Sequence, residues 1–177
     1  RNLVEALSDP LVHLVRNAID HGIESPEQRR LAGKPERGQV RLSAQQEGDH
    51  VAIEVRDDGA GIDADRIRDS AVRKGLVEPD AAARMSPEEC LQLLFLPGFS
   101  TRSEVSDLSG RGVGMDVVQS KIRELSGLVQ IHSEHGVGSR FVIRVPLTLA
   151  ILPTLLVEIA GDVYALPLVR GRGALPE

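Results

Sequence analysis

The 177-residue sequence predicts an α/β (α+β) two-layer sandwich, in which a mixed, mostly antiparallel sheet is covered by helices on one face. Three observations predict it. Residues 39–46 and 50–56 alternate apolar and polar side chains, as do 128–134 and 139–145, and each pair meets at a glycine-bearing link, EGD or HGVG, as β-hairpins do. Segments with helical start and stop signals stand before the first hairpin and between the two. The alternation leaves the two sheet faces differently packed, which argues against a doubly wound sheet.

Taken in order, Asp9-Pro10 reads as a helix start, with Ser8 or Asp9 as cap and proline in the first turn. Leu11, Leu14, Val15 and Ala18 follow at i, i+3, i+4 and i+7 as one apolar face, and Gly22 ends the helix. Ser25-Pro26 opens a short second helix that Gly33 stops. Val40, Leu42 and Ala44 share one side of the first strand, and Val51, Ile53 and Val55 one side of the second. DDGAGID, 57–63, is a glycine-bearing turn leading into a helix over 63–74. SPEE, 86–89, is a capping box that opens a helix through Leu94. PGFSTRSEVSDLSGRG, 97–112, has many turn formers and little periodicity and predicts a mobile loop, after which 113–125 is helical.

Hydrophobic residues make up 41% of the chain, enough for a core, but aromatics are 2% with no Trp, so that core must be built from Leu, Val, Ile and Ala. A net charge of −5 argues against nucleic acid as a partner, while leaving room for a local pocket that takes a small phosphate ligand. Cys90 is the sole cysteine, which precludes an intrachain disulfide and fits a reducing compartment. No signal peptide is legible at the start, and Arg1 in place of Met reads as a fragment or a processed chain. The most apolar stretch, 147–169, is interrupted by Pro153, Glu158, Gly161 and Asp162, whereas a membrane helix needs roughly 20 consecutive apolar residues. The expectation is a cytoplasmic protein without direct membrane insertion.

Four segments carry candidate chemistry. HLVRNAIDHG, 13–22, gathers His13, Arg16, Asn17, Asp20 and His21; the i,i+4 and i,i+3 spacings put His13, Asn17 and Asp20 on one face. The amide oxygen of Asn17 suits Mg²⁺, which takes few protein ligands and fills its shell with water and phosphate oxygens. The plain alternative is a solvated face with an Arg16–Asp20 ion pair. In DDGAGID, Asp57 stands where a strand leaves the sheet, able to accept from an exocyclic amine such as that of adenine; an ordinary Asp-Gly turn is the alternative. GRGVGMD, 110–116, places Gly110, Gly112 and Gly114 before a helix, a pattern suited to wrapping phosphates. It is not a dinucleotide fingerprint, and the chain contains no P-loop motif. GVGSRF, 136–141, offers the Ser139 hydroxyl as support for the carboxylate or a neighbouring water, in what also reads as a simple hairpin.

In this order the pieces resemble the GHKL ATPase superfamily, with its Bergerat ATP-binding fold, found in histidine kinases, type II topoisomerases, mismatch-repair ATPases and heat-shock chaperones. Within it, LSDPLVHLVRNAIDHGIESPEQR, LFLPGFSTRSEVSDLSGRGVGMDVV and RVPLTLAILPTLLVEIAG are similar to the CheA family of chemotaxis histidine kinases, the likeness covering residues 3–168. The resemblance implies a site that clamps Mg²⁺ and ATP between helices and a flexible lid. Asn17 would coordinate Mg²⁺, with His13 and Arg16 facing the triphosphate and Asp20 and His21 completing the polar helix face. Asp57 would receive the adenine amine, Gly59 and Gly61 would give the base room, and Ile62 and Met115 would be apolar walls. Gly110, Gly112 and Gly114 would carry the lid, Arg66 and Arg102 would contact phosphates, and Ser139 stands where many relatives have Thr. ATP-hydrolysing branches commonly carry Glu four residues before the Mg²⁺-binding Asn. Here that place is His13, so the γ-phosphoryl would be reserved for an imidazole, with His13 and Asn17 as the catalytic pair.

The activity implied is a protein histidine kinase acting on a separate phosphotransfer domain in two-component chemotaxis signalling. The same resemblance implies a dimerisation domain, a CheW-like coupling protein, chemoreceptors and a downstream response regulator as partners. LPTLLVEIAGDVYALPL resembles the opening hairpin of a CheW-like regulatory domain, which divides the chain into a catalytic domain over 1–147 and the truncated start of that next domain over 148–177. Two other functions compete: an ATPase working as an ATP-driven conformational clamp, and a non-catalytic nucleotide-binding module.

Overall fold

The computed structural model describes residues 3–99 and 114–147, and the backbone of 154–159 and 162–167. The chain divides into two compact units, Arg1–Leu147 and Thr148–Glu177. The first unit is built on strands β1 (Val40–Glu47), β2 (His50–Asp57), β3 (Leu128–Glu134) and β4 (Gly138–Pro146). They lie in the order β1-β2-β4-β3, and all three ladders are antiparallel. Each hairpin expected from the sequence forms; the central β2–β4 ladder joins them and sets Asp57 opposite Ser139.

The period-2 alternation sorts the strands into a buried and a polar face. Ile53 and Val55 of β2, Phe141, Ile143 and Val145 of β4, and Val129 and Ile131 of β3 point into one core. From the helical side that core receives Leu7 and Leu14 of α1 (Leu3–Asn17), Leu91 of α5 (Pro87–Gln92), Phe95, and Met115, Val118 and Ile122 of α6 (Met115–Glu124). On the opposite face Glu54 bridges Arg56 at 3.0 Å and Arg140 at 3.6 Å, and Arg144 reaches Glu47 at 3.3 Å. β1 is an edge strand, and the apolar side expected of it is largely uncovered: Val40 packs on the core, but Leu42 is 55% exposed because the helical layer stops short of it.

Helix α1 starts at Leu3, ahead of the expected Asp9-Pro10 cap, and holds Pro10 inside it. Proline in a helix interior removes one backbone hydrogen bond, but Pro10 is buried with Leu7 and Leu14, so its ring extends the apolar stripe upstream. Beyond Asn17 the chain widens into a π-turn, Ala18–Gly22, closed by Ile23 N–H donating to Ala18 O at 2.8 Å. Asp20 and His21 therefore lie on this turn and not on a continued α-helical face, as their spacing had suggested. α2 (Pro26–Leu31) has the full capping box, Ser25 with Gln28, and the chain turns at Gly33 with φ +74°. α3 (Ala64–Arg73) is capped by Asp63. The short α4 (Pro79–Ala83), which carries too few residues to show a periodicity, starts on Glu78-Pro79. Ser86 caps α5 by accepting from Glu89 N–H, and a single 3₁₀ turn, Leu93–Phe95, prolongs it. A second apolar cluster, Ala71, Leu93 and Phe99, fills the space beneath α3.

The second unit contains one antiparallel hairpin, β5 (Thr154–Ile159) with β6 (Asp162–Pro167), in which Val157 lies opposite Tyr164. Among the described residues no helix is long and apolar enough to cross a membrane.

Candidate functional site

The end of β2 delivers Asp57 into the interior at 6% exposure, on the same sheet face as Val55 and Ile53. Its Oδ1 accepts from Gly59 N–H at 2.9 Å. Burial pushes the Asp57 carboxyl above the usual carboxylate range; backbone N–H groups of Gly59 and Ser139 oppose this, and the charges of Asp58 and Glu24 add to it. Among the described residues no cation pairs with the Asp57 carboxylate.

The turn after Asp57 is shaped by close backbone approach. A Cβ on Gly59 would stand 2.0 Å from the Gly22 carbonyl oxygen and 2.9 Å from Asp57 Oδ1, so no larger residue fits. Gly61, at φ +71°, would place a Cβ 2.2 Å from Glu134 O. Ala60 N–H donates to Gly22 O at 2.8 Å, and Ile62 N–H to Ser133 Oγ at 2.7 Å. Ser133 Oγ also lies 3.0 Å from Ser139 Oγ. The Ser139 hydroxyl thus bonds Ser133, and it is the Ser139 backbone N–H that supports Asp57, a division of labour the sequence did not anticipate.

The π-turn brings the polar helix to this carboxylate. A Cβ on Gly22 would lie 3.3 Å from Asp57 Oδ1, so the π-turn that follows α1 packs directly against the Asp57 carboxylate. One helical turn upstream, Asn17 Nδ2 donates to Met115 Sδ at 3.5 Å, which ties α1 to the start of α6; among the described residues the amide oxygen has no hydrogen-bond partner. His13, half-buried on the same helix, has its pKa lowered by burial. Arg16, Asp20 and His21 are exposed, and among the described residues Arg16 and Asp20 make no ion pair. Ile62 packs against the core cluster to which Met115 belongs, and Gly114 caps α6.

Four expected residues lie apart from the others or outside the described residues. Arg66 is on the exposed face of α3, where it lines a cavity of about 500 Å³ with Asp69 and Arg73 and makes no contact with Asp57. Arg102, like Gly110 and Gly112, falls outside the described residues. A larger cavity, about 650 Å³, opens at the Asp57 end of the sheet, with Asp57, Ser133 and Ser139 in its lining. It extends to Arg41, Arg56 and Arg140 on the polar face and does not include Asn17 or Met115, which stand on the helical side.

Sequence reasoning missed the layer behind Asp57. Arg29 of α2 is fully buried, 0% exposed, and bonds Glu24 and Asp58 at 3.0 Å each. Lys34 joins it through Glu24 at 2.8 Å. Burial pushes the Glu24 carboxyl up, but the hydrogen bond from Lys34 and the charges of Lys34 and Arg29 outweigh this and hold it below its usual range. Nothing local to the sequence separates Arg29 from its neighbour Arg30, which is exposed and pairs with Glu36 on the surface.

The chain belongs to the histidine kinase-, DNA gyrase B-, and HSP90-like ATPase family, whose pattern matches residues 6–149. Among individual proteins it is 48% identical over 168 residues to the sensor histidine kinase CheAY of Helicobacter pylori, covering 95% of this chain and 21% of that protein. It is 46% identical over 168 residues to the chemotaxis protein CheA of Bacillus subtilis, covering 95% and 25%. With the gliding motility regulatory protein of Myxococcus xanthus it shares 48% over 167 residues, covering 94% and 22%. The chain thus spans a quarter or less of the length of these relatives. The nucleotide-free catalytic domain of the histidine kinase ThkA superposes with a TM-score of 0.46 at 17% identity, over 81% of this chain and 67% of that one.

Proposed function

We propose that this chain is the ATP-binding catalytic part of a chemotaxis-type protein histidine kinase, which binds Mg²⁺ and ATP and passes the γ-phosphoryl group to a histidine on a separate phosphotransfer domain. The observation that carries the reading is the buried Asp57 carboxylate standing against Gly22, at the end of the helix that bears Asn17. A carboxylate so placed receives the adenine amine, and the close backbone approaches that Gly59 and Gly61 permit support the reading by fixing the turn that follows it. Ile62 and Met115 supply apolar walls. Asn17 would help hold Mg²⁺ through its amide oxygen, and the ion would supply charge neutralisation at the phosphates.

Phosphoryl transfer demands positioning and charge neutralisation more than covalent chemistry from the protein. His13 and Arg16 lie on the triphosphate side of Asn17, and Gly110, Gly112, Gly114 and Arg102 form the lid in this reading. In the transfer the bond from the γ-phosphorus to the bridging oxygen breaks, a nitrogen–phosphorus bond to the incoming imidazole forms, and ADP leaves. With His13 in place of a carboxylate, water is poorly activated. Residues 148–177 are the beginning of a CheW-like regulatory domain, through which a coupling protein and chemoreceptors would act, and a response regulator would accept the phosphoryl group downstream.

The deciding experiment mixes the chain with an isolated phosphotransfer domain and γ-labelled ATP. Label should appear on the acceptor domain, with little phosphate release when that domain is omitted. Appreciable steady-state hydrolysis without an acceptor would favour the clamp, and nucleotide binding with neither transfer nor hydrolysis the non-catalytic module.

A further inference from the structure

We infer that Arg29 and Lys34 are positioning residues for base selectivity: they hold the Asp58–Gly59 peptide plane so that it aims Asp57 at the adenine amine. The inference rests on the reading of Asp57 given above. Arg29 Nη1 donates to Asp58 O at 3.0 Å, and Lys34 Nζ donates to the same oxygen at 3.2 Å. That carbonyl and the Gly59 N–H belong to one planar peptide unit, which cannot bend in the middle. The opposite end of the unit, Gly59 N–H, donates to Asp57 Oδ1 at 2.9 Å. Two cations therefore grip one end of a rigid plate whose other end orients the carboxylate.

The grip is itself fixed on every side. Arg29 Nε donates to Pro35 O at 2.7 Å, Nη1 to Glu24 Oε1 at 3.0 Å, and Nη2 to Asp58 Oδ2 at 3.0 Å. Lys34 Nζ also donates to Gly59 O at 2.7 Å, and Asp58 Oδ1 accepts from Gln39 N–H at 2.8 Å. A buried guanidinium is tolerated only when its donors are met with good geometry, and the planar fork that meets four acceptors here cannot be reproduced by an ammonium. A loop staple alone would need only the bonds to Glu24 and Pro35. The two cations on the Asp58 carbonyl are what link the staple to the ligand side.

The test is the discrimination between a non-hydrolysable ATP analogue and its GTP counterpart, measured by titration calorimetry on the whole chain. Adenine offers a donor amine where guanine offers a carbonyl oxygen, so a misaimed Asp57 loses affinity for the first and not for the second. Wild type should prefer the ATP analogue. Arg29→Lys should weaken it about tenfold, one hydrogen bond to a charged group, while GTP-analogue affinity stays within about twofold, compressing the preference by the same factor. Lys34→Met removes the second cation from a partly exposed site and should compress the preference in the same direction, which keeps the test open if Arg29→Lys does not fold. A preference unchanged in the folded variants, or equal losses for both nucleotides, would overturn this inference while leaving the Asp57 reading intact. Wild type that binds neither nucleotide would sink both.

Discussion

Replacing Asp57 by Asn should move nucleotide affinity and the stability of the unliganded chain in opposite directions. The carboxylate is 6% exposed and accepts from Gly59 N–H at 2.9 Å. An amide oxygen keeps that bond, but the new NH₂ then faces the donor amine of the base. One hydrogen bond to a charged acceptor is lost, about 1.5–3 kcal/mol, or roughly ten- to a hundredfold in affinity. For the empty protein the sign reverses. Burial raises the folded pKa of Asp57 above its unfolded value, so its stabilising contribution is fully present only at pH below the unfolded value and is lost as pH rises through the folded one. At neutral pH the anion therefore destabilises the empty fold, and the amide removes that penalty. Calorimetry with a non-hydrolysable ATP analogue at pH 7, paired with thermal unfolding of the unliganded chain from pH 4 to 7, reads both signs. The melting temperature of the variant should exceed wild type at pH 7, with the gap closing toward acid. Unchanged affinity would refute the role assigned to Asp57, and a lower melting temperature at pH 7 would refute the argument from burial.

Two further outcomes follow from neighbouring geometry. Gly59→Ala places a methyl group 2.0 Å from the Gly22 carbonyl, which is backbone and cannot swing aside. Thermal melts should show a loss of about 1–3 kcal/mol, as overpacking costs, at roughly 2–4 °C per kcal/mol, and nucleotide titration should lose most of its heat. His13 has a folded pKa held below its ordinary value by burial, so its contribution is present above the unfolded pKa near 6.5 and lost as pH falls through the folded value. His13→Gln should flatten the decline in melting temperature between about pH 7 and pH 5; an equally steep decline in the variant would place the acid sensitivity elsewhere.

The parts of the molecule that were readable in the sequence are those whose causes are local. Ser25 and Gln28 close their box within one turn, and HGVG closes its hairpin within four residues, so composition and spacing suffice. Asp57 and Asn17 were legible as candidates because a strand-end Asp-Gly and an amide among helical cations are both unusual. The failures are non-local. Pro10 reads as a start signal, and only packing of Leu3 and Leu7 on the sheet extends the helix through it. Leu42 shares the core side of β2 by register yet stays exposed, since the strand order, and not its own alternation, decides which strand the helices cover. The partners of Arg29 stand five residues away at Glu24 and 29 away at Asp58, distances no periodicity links.

The hairpin in which Val157 meets Tyr164 has an experimental consequence. Tyr164 is the sole tyrosine of a chain without tryptophan. Tyrosine emission, excited where phenylalanine barely absorbs, therefore arises from the second unit alone in the intact chain. A tryptophan placed in the first unit, for instance at exposed Leu128, would give each unit its own optical channel.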